Sequence, residues 1–173
     1  AIGVRDDIRV VFVCPDPVPF GIPAIDRELR RKLDEYGIEV RYSRQLRSVD
    51  AASRTLVIGH GEASETLSYD LLHAVPPQRA PEWIAGSGLA ASGDPHGFVD
   101  VDPETFQHVR HPEIWSVGDA AASATRRSGG AIRQQAKVLV KNMKAALEGR
   151  PPTATYNGYS VVPFTVSRGT VVF

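Results

Sequence analysis

The segment Ile114-Trp115-Ser116-Val117-Gly118-Asp119-Ala120, followed at Gly129-Gly130-Ala131 by a helix-like run, constrains this chain most. Its order predicts a buried strand ending in Gly-Asp, then a loop, then a helix start. Such a joint sets a carboxylate beside a helix N-terminus, where unpaired backbone N–H groups carry partial positive charge. A flavin suits both parts. Its ribityl hydroxyls would donate to Asp119, and the electron-rich pyrimidine edge would face the helix end. Taken alone, the segment reads equally well as a strand–turn–helix joint with an acidic cap.

Composition narrows the classes. The 173 residues allow one compact core or two small lobes. Twenty basic and twenty acidic residues cancel, so no net field draws nucleic acid or an anionic membrane. No apolar run reaches the length of a membrane span, and no signal-peptide pattern is visible. The single cysteine, Cys14, excludes an internal disulfide and a redox-active cysteine pair within the chain. His108 and His111 are spaced like metal ligands, but nothing else clusters with them, so solvent-facing histidines and no metal are expected. The chain opens on Ala1 without an initiator Met and stops at Phe173 inside a strand-like pattern, as a piece of a longer protein would.

Periodicity organises the rest. Ile8–Cys14 is dense in β-branched residues and predicts a buried strand. Ala24–Tyr36 carries Ile25, Leu29 and Leu33 on a charged background, an amphipathic helix closed by Gly37. Ile38–Tyr42 then begins a strand, giving a β-α-β unit with parallel strands. Strands are expected over 45–50 and 54–58, a polar loop over 59–64, and a strand over Leu67–Val75 that Pro76-Pro77 ends. Residues 78–97 read as a crossover, Phe98–Val101 and Ile114–Val117 as short strands. The best helix is Ala131–Leu147, with Ile132, Val138, Leu139, Met143 and Leu147 near one face. Residues 160–166 and 170–173 flank a hairpin turn at Ser167-Arg168-Gly169. Gly86-Ser87-Gly88-Leu89-Ala90-Ala91 matches G-x-G-x-x-A on paper, but no hydrophobic strand precedes it, so it reads as a loop.

The order of these segments resembles sulfide:quinone oxidoreductases and flavocytochrome sulfide dehydrogenases, within the two-dinucleotide-domain flavoproteins. The resemblance rests on residues 69–77 (YDLLHAVPP), 97–102 (GFVDVD), 104–108 (ETFQH), 116–119 (SVGD), 131–136 (AIRQQA), 156–163 (YNGYSVVP) and Phe20-Gly21-Ile22. It implies an α/β fold, an FAD domain interrupted by an NAD(P)-binding-like insert. Residues 1–75 would then be the later part of that insert, and residues 76–173 the C-terminal part of the FAD domain. A strand followed by G-x-G-x-x-G, which would hold the FAD pyrophosphate, is not found in the chain. The isolated residues are therefore expected not to retain FAD and to be inactive.

The resemblance also assigns residues. Asp119 would contact the ribityl chain, and Gly118 would let the backbone approach closely. Arg127 stands where relatives often carry a Lys near the flavin and would stabilise an anionic reduced ring; a solvated basic loop over 125–130 is the competing reading. Gly130 begins the helix whose N-terminus would face the pyrimidine edge. Gln135 would line the flavin or quinone pocket, or face a neighbouring strand. Tyr159 and Phe164 would border a quinone, or serve as strand residues. Val162 departs from the pattern, because sulfide oxidisers carry a Cys there, and a valine cannot hold sulfane sulfur. Cys14, at the end of a core-like strand, reads as a buried structural thiol. Asp16 lies slightly late for an NAD(P) ribose contact.

The expected parent is an FAD-dependent oxidoreductase passing electrons to a quinone or similar acceptor, cytoplasmic or peripheral to a membrane. Two alternatives stand beside it. One is an NAD(P)H-dependent reductase, for which the missing Cys is unremarkable. The other is a non-catalytic interaction module.

Overall fold

A computed structural model describes residues 7–123 and 127–173. Its contacts divide the chain into two compact units, Ala1–Ala74 with Pro163–Phe173, and Val75–Val162. The terminal hairpin thus packs with the first unit, although sequence order attaches it to the second.

The first unit begins with β1 (Val11–Val13), α1 (Pro23–Glu35) and β2 (Glu39–Arg41). The two strands pair in parallel, Val11 against Glu39 through Val13 against Arg41, as a β-α-β crossover requires. Pro23 occupies the first turn of α1, where its missing N–H costs nothing. Gly37 takes φ +60°, and the N–H groups of Gly37 and Ile38 close the helix onto Asp34 and Leu33. Burial departs from expectation. Ile8, Val10 and Phe12 are exposed, and in this stretch Cys14 alone is buried, its thiol 3.5 Å from the Val18 carbonyl. Among the described residues the sheet of β1 has only two strands, which leaves these side chains of the apolar run exposed.

A meander follows: β3 (Gln45–Asp50), β4 (Thr55–His60) and β5 (Ala63–Ser68), antiparallel in that order. The central strand supplies the core residues Leu56 and Ile58. The expected polar loop over 59–64 is instead the end of β4, a turn at Gly61-Glu62 and the start of β5. Positive φ at Gly61 permits that tight reversal. The strand expected over Leu67–Val75 ends at Ser68, and Leu71 and Val75 lie in the open. The terminal hairpin, β6 (Phe164–Ser167) and β7 (Thr170–Val172), turns at Arg168-Gly169. Phe164 meets Phe20 edge-on at 4.8 Å, and the Tyr36 hydroxyl donates to the Val166 carbonyl at 2.7 Å.

Among the described residues the second unit has two α-helices, α2 (Glu82–Gly86) and α3 (Gly129–Leu147), and a framework of single β-bridges. Ile84, Val99, Val101 and Ala121 form its apolar cluster. The strands expected at Phe98–Val101 and Ile114–Val117 are present as isolated bridges: Val99 to Ala90 and Ala121, Val101 to His108, Trp115 to Gln107. The short segments meet one residue at a time, so no ladder forms. Gly86-Ser87-Gly88 ends α2 and builds no phosphate cradle after a strand.

The most buried positions of α3 are offset from the apolar face that periodicity predicts, of which Ile132, Val138 and Leu139 are half-buried. Ala131, Gln135, Asn142 and Ala145 are buried, whereas Met143 and Leu147 are exposed. Asn142 is 0% exposed and anchors the buried side. Its Oδ1 accepts from the N–H groups of Thr153 and Ala154, and its Nδ2 donates to the carbonyls of Thr105 and Ala154. One amide thus satisfies the irregular backbone packed against the helix.

Asp102 and Asp94 hold turns in this unit. Asp102 accepts from the N–H groups of Glu104 and Thr105 and from the Thr105 hydroxyl. The Thr105 backbone bond lowers its pKa most, against a smaller upward push from burial, and the net shift is down. At Asp94 burial pushes upward, but the N–H groups of His96 and Phe98 and the charges of His96 and Arg127 outweigh it, and the net shift is again down. A depressed folded pKa means stability that is complete above the unfolded carboxylate range and lost as pH falls through the folded value. Urea midpoints should therefore hold steady down to about pH 5 and fall below about pH 4. The Asp102→Asn variant should show a shallower acid fall than the wild type, measured by circular dichroism.

Candidate functional site

Gly118 opens a 3-10 turn, Gly118–Ala120, directly after the Trp115 bridge. It adopts φ +65°, a region that disfavours any Cβ. A Cβ there would also lie 2.8 Å from the Ile132 Cδ1 on α3. Its N–H donates to the Gln135 Oε1 at 2.8 Å, and Gln135 is buried at 4% exposure. Gln135 therefore ties the turn to the helix. Asp119 follows on the turn with its side chain exposed, and it makes no side-chain hydrogen bond to a described residue. Its carboxylate oxygens remain as acceptors.

The first turn of α3 completes the arrangement. Ser128 caps it, its Oγ accepting from the Ala131 N–H at 3.0 Å and lying 3.1 Å from the Ser160 Oγ. That leaves the N–H groups of Gly129 and Gly130 as the helix-end donors. Gly130 is also a packing point, since a Cβ would meet the Val161 Cγ1 at 2.4 Å. The absent side chain lets the segment carrying Val161 lie directly against the helix. An exposed carboxylate and a capped helix N-terminus thus stand on two elements that one buried glutamine locks together. The Ser128 cap has a plain sequence signal, a serine before a helical run, that the motif reading passed over.

Arg127 is engaged differently from expectation. Its guanidinium carbon lies 4.0 Å from the Phe98 ring centroid, and Nη2 donates to the Ala121 carbonyl at 3.3 Å. Its Nε is buried without a hydrogen-bond partner among the described residues. The loop positions 125 and 126 lie outside the described residues.

Among the remaining candidates, Tyr159 lies at the start of α3, its Cε1 3.5 Å from where a Cβ on Gly130 would sit. His108 is buried at 3% rather than solvent-facing. Its Nδ1 accepts from the N–H groups of Arg110 and His111, which puts hydrogen on Nε2, 3.1 Å from the Leu89 carbonyl. It is a loop organiser, and no group of potential metal ligands occurs among the described residues. Asp16 is exposed, and its carbonyl accepts from the Ser43 N–H. Asp26 escaped the sequence reading. It is buried and accepts from the N–H groups of Phe20 and Gly21, fixing the loop before α1. Tyr159 is 47% exposed in the second unit.

The rigidity of the Gly118 turn is testable. Gly118→Ala should cost about 1–2 kcal/mol, chiefly from the positive φ, because the Ile132 tip can rotate away. Gly129→Ala, with open space around it, should change stability by no more than about 0.5 kcal/mol. Urea denaturation of the two variants checks the contrast.

Known proteins resemble this chain in sequence and fold. No family profile matches the chain. A mitochondrial sulfide:quinone oxidoreductase of Schizosaccharomyces pombe is 33% identical over 98% of the chain, and that of Dictyostelium discoideum 31% over 98%. The chain spans 37% of the length of each. Among solved structures, a chain in the cryo-EM structure of the Tetrahymena thermophila mitochondrial ATP synthase aligns over 93% of this chain and 39% of that one, with TM-score 0.77 and 26% identity. The sulfide:quinone oxidoreductase of Aquifex aeolicus aligns over 86% of this chain and 38% of its own, with TM-score 0.74 and 18% identity. No described helix is long and apolar enough to cross a membrane. Over nearly its whole length the chain is similar to part of the sulfide:quinone oxidoreductases, and it has the FAD/NAD(P)-binding fold of the two-dinucleotide-domain flavoproteins.

Proposed function

We propose that the chain supplies the ribityl and pyrimidine contacts of an FAD site in an FAD-dependent oxidoreductase parent. The observation that carries this reading is the Gly118–Gln135 hydrogen bond, which holds the Asp119 turn against α3. The residues fit part of a flavin site. Asp119 offers acceptors for hydroxyl donors, and Gly129 and Gly130 offer N–H donors and the positive end of the helix dipole. Arg127 would add positive charge, provided that it leaves the Phe98 ring. When bound, FAD supplies the redox chemistry, and these residues hold, orient and tune it. In the same reading, residues 1–75 belong to an NAD(P)-binding-like domain and residues 76–173 to the FAD domain, with a quinone as acceptor at a membrane surface.

The donor follows from Val162. A valine has no sulfur to carry sulfane sulfur or to enter thiol–disulfide exchange, and Cys14 is buried. The parent is therefore proposed to take electrons from a donor other than sulfide, and NAD(P)H is the first to test. With a soluble quinone as acceptor, sulfide-dependent reduction by the FAD-loaded parent should run at least about 100-fold below that of a Val162→Cys variant or a cysteine-bearing relative. Comparable turnover would overturn the assignment of the donor.

A second reading draws on the likeness to a chain of the Tetrahymena ATP synthase assembly. There the parent would be a non-catalytic module held within a larger complex. Flavin content separates the two: stoichiometric FAD in the purified parent favours the enzyme, and a colourless, stably folded parent favours the module.

A further inference from the structure

A groove runs between α3 and residues 153–159. It has a volume of about 430 Å³ and is lined by Gln134, Lys137, Lys141, Asn157 and Tyr159 among others. We propose that it binds a phosphoryl or pyrophosphoryl group.

The walls are built rather than loose. Asn142 pins Thr153 and Ala154 to the helix through both ends of its amide. Tyr156 is buried, its ring 5.3 Å from that of Phe106, its N–H on the Glu104 carbonyl and its hydroxyl on the Tyr159 carbonyl. The Asn157 Oδ1 accepts from the Tyr159 N–H, which leaves its amide NH2 as a donor.

Charge points the same way. Helix α3 contains Arg133, Lys137, Lys141 and Lys144 and no Asp or Glu in its 19 residues. Lys137 and Lys141 stand one turn apart on the same groove, which contains no acidic lining residue. Neither forms an ion pair with a described residue. On α1 the opposite rule applies, with Arg31 and Lys32 paired to Glu28 and Glu35 within the helix. A long helix with unneutralised like charges one turn apart is locally unfavourable in isolation. An anion with several acceptor oxygens, seated between two ammonium groups and the amide donors of Gln134 and Asn157, relieves that repulsion.

The source of the phosphoryl group is either a free phosphate compound or a phospholipid headgroup, and two arms distinguish them. In the first, the chain is titrated with pyrophosphate while amide resonances are followed by NMR. Saturable shifts at Lys137, Lys141 and Asn157 are expected, with a dissociation constant on the order of 1 mM at low salt and weaker at high salt. The K137Q/K141Q double variant should bind at least about tenfold more weakly, and K144Q, outside the groove, should bind as the wild type does. In the second arm, co-sedimentation is compared for phosphatidylcholine vesicles with and without phosphatidic acid. Binding that needs phosphatidic acid and is lost in the double variant, without a pyrophosphate response, makes the headgroup the source. Absence of saturation in both arms, shifts confined to other residues, or equal binding by the double variant would overturn the proposal. Should the double variant fail to fold, the wild-type shift map decides alone.

Discussion

Asn142→Leu should destabilise the second unit by about 3–5 kcal/mol, the largest effect expected of any single side chain here. Asn142 is 0% exposed and serves two N–H donors and two carbonyls, three of those four on the segment at 153–154. Leucine fills similar space but takes the side-chain partner away from all four backbone groups. Each lost partner costs about 1–3 kcal/mol before relaxation admits water, which is why the sum is not additive. Asn142→Asp should be nearly as damaging, since it keeps the acceptors and removes the donor. Urea denaturation of the chain measures both. A loss below about 1 kcal/mol would mean that the segment does not depend on this amide.

In the full-length parent, Asp119→Ala should weaken FAD affinity roughly 10–100-fold, the range expected when a charge-assisted hydrogen bond to a ligand hydroxyl is lost. Asp119→Asn keeps one acceptor oxygen and should fall between that variant and the wild type. The fold should survive, because the side chain is exposed and supports no described neighbour through a hydrogen bond. Flavin-to-protein ratios after gel filtration, with circular dichroism as control, separate the two effects. Unchanged flavin content in Asp119→Ala would remove this residue from the site.

Much of the architecture is legible in the sequence. The α1 pattern, its Gly37 stop and the parallel pairing of β1 with β2 follow from local rules that the tertiary context does not oppose. So do the β3–β4 hairpin and the terminal β6–β7 hairpin, whose turn residues set the reversal. The misreadings share a cause. Apolar periodicity assumes an apolar partner surface. Along β1 that surface is open, so β-branched residues lie exposed. On α3 the partner is irregular backbone, so the buried positions demand small and amide residues in place of Met143 and Leu147. The 98–117 region folds by single bridges, which leave no alternation to read.

The site was legible in part for a similar reason. Gly118, Asp119 and the α3 start are contiguous motifs, so the sequence order already places them near one another. The Gln135 bond to Gly118 spans 17 positions, and the Phe98 ring under Arg127 lies almost 30 positions upstream; neither leaves a local signature. The His108 acceptor role is equally hidden, since a histidine bound to two backbone N–H groups looks in sequence like any loop histidine.

The most direct test is a crystal structure of the intact parent grown with FAD. The account predicts an Asp119 carboxylate oxygen within hydrogen-bond distance of a ribityl hydroxyl, and the pyrimidine edge facing the Gly129 and Gly130 N–H groups. A bound flavin whose ribityl chain and ring lie away from both would contradict it.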